Sequence, residues 1–201
     1  MASIFDTVMQ QLGGSNMSQL SQQIGADEST TRNAVQAALP MLLGGLARNS
    51  SNPAGAASLG SALNEHRDSG VLENLGGLIG NPQSGPGGGI LGHVFGNRRG
   101  SVEEGVGRAT GLDRQQMGKL LMVLAPIVMA ALARRQGTGQ ADAAPQDDLG
   151  QVLQRESQEA AQKAPSGLGG LIGMLDRDGD GNPLNDLGRL GGGLGGMLGG
   201  R

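Results

Sequence analysis

Hydrophobic residues recur along this chain at the spacing of amphipathic helices. The first such segment carries its apolar side chains on one helical face, at Ile4, Phe5, Val8, Met9 and Leu12. Residues 18–24 predict a second, shorter helix that is capped by Ser18 and stopped by Gly25. No stretch shows sustained alternation of apolar and polar residues. The pattern therefore predicts an all-α fold.

The longest apolar pattern occurs twice. Residues 25–48 and 111–134 align without a gap at an offset of 86 residues, and each begins with Gly-x-Asp, runs into a proline and closes on Leu-Ala-Arg. We expect Asp27 and Asp113 to cap the two helices. Pro40 and Pro126 should kink or restart them, because proline has no amide hydrogen. The second copy is apolar on nearly all sides and is the best candidate for a central buried helix. The alignment indicates an internal duplication.

Shorter repeats follow the long ones. A polar, proline-containing loop and a Leu-Gly-x-x-Leu helix come after each long segment, with the helices at residues 59–63 and 149–153. The hexapeptide Leu-Gly-Gly-Leu-Ile-Gly occurs at residues 75–80 and again at 168–173. Between the two units, residues 81–89 contain two prolines and a glycine run that should sustain neither helix nor strand. The predicted divisions are a first helical unit (1–80), a Gly/Pro linker (81–89), a second helical unit (90–155) and a Gly/Leu-rich tail (156–201).

Composition restricts both the core and the chemistry. The chain has 39 glycines, two phenylalanines and no cysteine, tryptophan or tyrosine. Its core must therefore consist of Leu, Ile, Val, Met and Ala. Without cysteine the protein has no disulfide, thiolate metal site or cysteine nucleophile, which is compatible with a reducing compartment.

The charge pattern argues against a nucleic-acid partner, and the length of the apolar runs argues against a membrane span. The net charge is −3, and the basic residues are scattered singly or in pairs, unlike the clustered basic patches that bind phosphate backbones. The N-terminus has no basic region followed by a long apolar run, so no secretory signal is expected. The longest apolar run, residues 120–133, is too short for a membrane span and predicts a core helix. We expect a cytoplasmic protein.

Several landmarks, in order, resemble one known family. They are the paired Gly-x-Asp…Pro…Leu-Ala-Arg segments, Asn-Pro-Ala-Gly-Ala at residues 52–56, and Ile-Leu-Gly-His-Val-Phe-Gly at residues 90–96. Together they resemble the bacterial YidB-like family (domain of unknown function 937), over roughly residues 4–153. The resemblance implies a compact helical bacterial protein. It carries no assigned activity, catalytic residue or substrate.

One constellation in the tail carries recognisable metal chemistry. Asp176, Asp178 and Asp180 occupy positions one, three and five of a loop, Gly181 occupies position six and Asn182 position seven. This spacing matches the first half of a calcium-binding EF-hand loop. Alternate residues of such a loop point inward, and a hard divalent cation relieves the repulsion among the carboxylates. Calcium is favoured over magnesium because the loop offers many protein oxygens.

The second half of the loop departs from the EF-hand pattern. Leu187 occupies position twelve, where a bidentate Glu is expected, and Pro183 occupies position eight. Asp186 at position eleven would close a shorter variant loop, or the site would stay open and complete its coordination with water. The alternative is a solvated acidic turn. Apolar stripes on both sides complete a Gly-rich helix-loop-helix that metal binding would order. They comprise Leu168, Leu171, Ile172 and Leu175 before the loop and Leu187, Leu190, Leu194, Met197 and Leu198 after it.

These patterns favour a non-enzymatic structural or protein-interaction protein whose C-terminal hairpin binds calcium. An alternative is a self-assembling or envelope-associated scaffold without metal dependence, in which the Leu/Gly-rich surfaces of separate copies stack. A second alternative is an enzyme with a cleft between the repeats that uses His66 or His93 as a base. No nucleophile, base and orienting group can be assembled from the sequence, so we expect His66 on the surface and His93 at a packing boundary.

Overall fold

The computed structural model describes residues 3–67, 70–138 and 147–164. These residues contain no strand, so the prediction of an all-α fold is confirmed. Two 3-10 turns, Pro82–Ser84 and Gly96–Arg98, flank the sixth helix. In chain order the α-helices are α1 (Ile4–Gln11), α2 (Ser15–Ile24), α3 (Glu28–Asn49), α4 (Pro53–Arg67), α5 (Leu75–Gly80), α6 (Gly87–Phe95), α7 (Arg99–Thr110), α8 (Arg114–Thr138) and α9 (Asp147–Lys163).

Helix α8 is the centre of the fold. It packs against α4, α6 and α7 and also contacts α1, α2 and α3. Its side chains are buried almost continuously from Leu120 to Ala133, with Met122 partly exposed, as the apolar pattern predicts. The segment Arg114–Arg135 is long and apolar enough to cross a membrane. An 18-residue stretch within it has a mean hydropathy of 1.8, but 83% of that stretch is buried inside the protein. This burial is typical of the core helix of a globular body.

Both long helices begin as their sequences predict. The Asp27 carboxylate accepts a hydrogen bond from the Thr30 amide at 2.9 Å. The Asp113 carboxylate accepts one from the Gln116 amide at 2.8 Å, and the Gln116 side chain in turn accepts from the Asp113 amide. These side chains satisfy amides that the first helical turn leaves without partners. The shared caps agree with an internal duplication, which itself stays a prediction.

Two local expectations are wrong. Ser18 does not cap α2, because the helix starts earlier, at Ser15, where Gly14 turns the chain with a φ of 62° and the buried Met17 already belongs to the apolar face. The Ser18 hydroxyl instead donates to Glu28. The long helices do not restart at their prolines, since α3 continues through Pro40 and α8 through Pro126; a kink at each proline stays a prediction. Burial on all sides outweighs the lost hydrogen bond.

Most of residues 81–89 is helical, although their composition predicts neither helix nor strand. A 3-10 turn forms at Pro82–Ser84, and α6 begins at Gly87. Gly87 is buried against the backbone of α8, where a Cβ atom would lie 2.0 Å from the Met122 carbonyl oxygen. Close tertiary packing thus stabilises a helix start that glycine alone disfavours. The division of the chain into units at this point stays a prediction.

Each of the α-helices named above contributes side chains to one hydrophobic cluster, whose members run from Ile4 to Ala160.

Helix α9 lies antiparallel along α3. Gly150 lies beside Ser50, and the Ser157 hydroxyl donates to the Pro40 carbonyl at 3.2 Å. It is 17 residues long, well beyond the short helix expected around residues 149–153. Helix α4 packs on α8 in turn.

The cap at Asp27 makes the stability of α3 sensitive to acid. The Ser29 hydroxyl and the Thr30 amide both donate to the Asp27 carboxylate and hold its pKa below the usual value. Because the folded pKa is depressed, this carboxylate stabilises the fold above its unfolded pKa of about 3.9, and the contribution is lost as the pH falls through the folded pKa. We expect Asp27→Asn, which keeps the cap but not the charge, to be less stable than the parent near neutral pH. The difference should shrink in urea unfolding curves recorded at about pH 3; a difference that does not change with pH would contradict the assignment.

Candidate binding site

A cavity of about 340 Å³ opens where α3, α4, α6 and α8 meet. Its size lies in the range of small-ligand sites. Most of its wall is apolar, and its polar groups lie on the segments from α3 to α4 and on α6. The apolar lining comprises Leu46, Leu59, Ala62, Ile90, Val94 and Met129, and the remaining lining comprises Asn49, Asn52, Gly55, Ser58 and His93.

The turn between α3 and α4 holds the polar lining in place. The Asn49 side-chain amide donates to the His93 carbonyl at 2.5 Å and thereby ties the end of α3 to α6. The Asn52 side-chain oxygen accepts from the Gly55 amide at 2.7 Å, which caps the first turn of α4. A Cβ atom at Gly55 would lie 1.8 Å from the Asn49 carbonyl oxygen, so the turn closes this tightly only around glycine.

The chemistry of the lining favours binding over catalysis. None of the lining side chains is a carboxylate, a lysine or an arginine, and His93 is the single titratable group among them. The Ser58 hydroxyl donates to the Ala54 carbonyl at 2.9 Å, which directs it away from the role of an activated nucleophile. An apolar wall whose rim has no carboxylate, lysine or arginine suits a ligand that is largely apolar.

Residues 6–135 match the family described as bacterial protein of unknown function (DUF937). The chain belongs to this family. The DUF937 match runs from within α1 to nearly the end of α8 and includes every residue that lines the cavity. Helix α9 and the tail lie beyond it. No curated protein and no solved structure matches the chain.

The segment beyond the DUF937 match contributes a buried carboxylate. Glu156 of α9 has an exposed fraction of only 4%, and its Oε2 accepts a hydrogen bond from the Ile4 amide at 2.7 Å. Its Oε1 pairs with Arg135 near the end of α8. Glu156 therefore joins α1, α8 and α9. This role of Glu156 was not predicted from the sequence, although a Glu three positions after Leu153 on an apolar face was the available signal.

A second buried carboxylate lies on α7, within the DUF937 segment. Glu103 is 7% exposed and pairs with Arg99 at 2.7 Å and with Arg114 at 3.4 Å. Gly118 on α8 leaves room for it, since a Cβ there would lie 3.3 Å from Glu103 Oε1. Because both of its oxygens have cationic partners, Glu103 fastens α7 to the start of α8.

The calcium loop expected from the sequence lies outside the residues that the structure describes. This holds for Asp176, Asp178, Asp180, Asn182 and Asp186. The side chain of His66 lies outside them as well, whereas His93 is an exposed residue in the last turn of α6 at the cavity. Within residues 3–67, 70–138 and 147–164, no three His, Asp or Glu side chains come together as a metal site. The metal hypothesis therefore depends on the tail.

Proposed function

We propose that this DUF937 protein is a non-enzymatic interaction protein whose C-terminal hairpin binds calcium and orders on binding. The observation that carries the proposal is the spacing of Asp176, Asp178 and Asp180 before Gly181. Hard cations such as calcium take six to eight oxygen ligands, and this spacing supplies carboxylates from alternate loop residues. The apolar stripes on both sides give the ordered hairpin a face to bury.

Five residues of the Asp-rich loop would bind the calcium ion. The carboxylates of Asp176, Asp178 and Asp180 ligate through their side chains, and Asn182 contributes its backbone carbonyl. Asp186 replaces the acid that an EF-hand carries one position later. Calcium is the expected ion, and magnesium is disfavoured because it requires stricter octahedral geometry and retains its waters. Each interior glycine costs a helix about 0.5 to 1 kcal/mol relative to alanine, so the hairpin depends on the metal for its order.

Two alternative functions would place the protein in other functional classes, a scaffold and an enzyme. A self-assembling or envelope-associated scaffold is favoured by the Leu/Gly-rich tail, which would pack between copies without metal. An enzyme is favoured by the position of His93 at a cavity. The lining supports binding instead, because it holds no carboxylate, lysine or arginine beside His93 and no activated nucleophile. A cytoplasmic location remains part of the proposal.

A calcium titration tests the proposal. Calorimetry with parallel far-UV circular dichroism on the intact protein should show saturable binding and a gain in helix. Asp178→Ala/Asp180→Ala should lose both signals, because the two substitutions remove the central ligands. Protein concentration must come from amino-acid analysis, since the chain has neither tryptophan nor tyrosine.

The control keeps the charge change but leaves the loop intact. Asp142→Ala/Asp147→Ala removes two acids before or at the start of α9, and this variant should bind calcium like the parent. Absence of binding at millimolar calcium would refute the metal proposal. Self-assembly through the Leu/Gly surfaces would then be tested by the concentration dependence of sedimentation.

A further inference from the structure

We infer that the cavity between α3, α4, α6 and α8 receives the protein's own C-terminal segment, residues 190–200, when calcium is absent. The inference rests on the proposed role of the tail as a docking element, but it does not require that calcium binds. It assigns that element a specific surface on the body.

The chemistry of the segment matches the chemistry of the cavity. Residues 190–200 read Leu-Gly-Gly-Gly-Leu-Gly-Gly-Met-Leu-Gly-Gly, without a charged side chain. The lining likewise includes no acidic residue, lysine or arginine. Leu190, Leu194 and Met197 recur at helical spacing and would occupy the apolar wall near Leu59 and Met129.

The polar rim suits a glycine-rich backbone. Glycines leave peptide groups uncovered, and these need hydrogen-bond partners when they leave water. The Asn49 side-chain nitrogen is already engaged with the His93 carbonyl, which leaves its side-chain oxygen as an acceptor at the rim. The Ser58 hydroxyl and the His93 ring add further polar groups. The rim can thus satisfy peptide groups without burying an unpaired charge.

The path of α9 places the tail within reach. Gly150 lies beside Ser50, next to the cavity residue Asn49, and α9 runs from there to its end at Lys163. At 1.5 Å per residue, Ala164 is about 21 Å from Gly150 along the helix. A Gly-rich coil of the intervening residues 165–189 would have a root-mean-square length of about 25–30 Å. A tether whose length matches the span gives the highest effective concentration, so even a weak contact would be populated.

The predicted repeat pairs the cavity with a second site, which the chain itself already fills. At the repeat offset of 86 residues, Ile90 corresponds to Ile4 and Asn49 to Arg135. The Glu156 carboxylate bonds to both Ile4 and Arg135 and so occupies the junction between them. The matching residues Asn49 and Ile90 instead line the open cavity. One of two equivalent junctions therefore has a built occupant, and the other presents an apolar opening.

Paramagnetic broadening tests the inference on the full chain. The protein has no cysteine, so Gly199→Cys provides a single position for a nitroxide label. In chelator, the label should reduce the intensity of the Met129 ε-methyl signal several-fold relative to the reduced, diamagnetic sample. The Met117 methyl lies about 18 Å away along α8 and should retain more intensity. Met129→Leu assigns the signal.

Matched substitutions on α4 separate docking from random encounter. Ala62→Leu narrows the cavity and should reduce the broadening, whereas Ala57→Leu on the exposed face of α4 should not. Ser58→Asp is a second blocking variant at an exposed position, and it brings a charge to the rim without changing the core.

Two results would overturn the inference. One is unchanged Met129 intensity in the labelled chain. The other comes from a mixture in which one copy carries the spin label and another copy carries the isotope label. Broadening there as strong as in a chain that carries both labels would make a second copy the occupant. Calorimetry is unaffected by either result, so failure of tail docking and failure of calcium binding remain distinguishable.

Discussion

Gly87→Ala is expected to lower the free energy of unfolding by about 3 kcal/mol, at the upper end of the usual cost of overpacking. A Cβ atom there would lie 2.0 Å from the Met122 carbonyl oxygen and 2.8 Å from its carbon, both of which are rigid backbone atoms of α8. That carbonyl would normally accept from the amide of residue 126, which is a proline. Gly87 approaches the carbonyl that Pro126 leaves without its helical donor.

A neighbouring glycine provides the matched control. A Cβ at Gly89, in the same turn of α6, meets no atom within 4 Å. Gly89→Ala should therefore leave stability unchanged or raise it by about 0.5–1 kcal/mol, through helix propensity. Urea unfolding followed by far-UV circular dichroism measures both variants. Equal effects at the two positions would show that the contact with Met122 does not constrain α6.

Glu156→Ala is expected to destabilise the fold by about 3 kcal/mol, because it removes a charged hydrogen-bond acceptor from a buried amide and leaves a void. The Ile4 residue is 1% exposed, so water cannot readily replace the carboxylate at its amide. The Arg135 side chain is 37% exposed and can regain hydration. The loss should therefore stay below the cost of breaking a fully buried ion pair.

Two further variants on α9 separate the causes. Glu156→Gln keeps the shape and one acceptor but removes the charge, and it should fall between the parent and Glu156→Ala. Gln158→Ala changes an exposed side chain on the same helix and should alter stability by less than about 0.5 kcal/mol. If Glu156→Ala is no more destabilising than Gln158→Ala, then Glu156 does not fasten α1 to α9.

Features that depend on local sequence could be predicted. The apolar face of α1, the caps at Asp27 and Asp113 and the buried α8 all follow from neighbours within a few residues. The start of α6 could not be predicted, because composition disfavours helix at Gly87 and the stabilising contact comes from Met122 on another helix. The start of α2 was misplaced because Ser18 resembles a cap in sequence, whereas its hydroxyl bonds to Glu28.

The candidate binding site was less accessible to sequence reasoning. His93 was expected at a packing boundary, and the structure places it as an exposed residue in the last turn of α6, at the cavity. The cavity itself could not be foreseen, because its walls come from four helices and no local pattern joins Asn49 to His93. Glu156 was equally hidden, since a charged residue in an amphipathic helix usually faces water.

The bond between Glu156 and the Ile4 amide links residues 152 positions apart. It has a consequence for the order in which the protein is assembled during translation. When residue 135 has been synthesised, the family-matched segment is complete, yet the acceptor for the first helix does not exist. At ordinary elongation rates Glu156 follows about one to four seconds later. Helix α1 can pack against α8 before α9 is made, but the buried Ile4 amide gains its carboxylate partner only once α9 has followed.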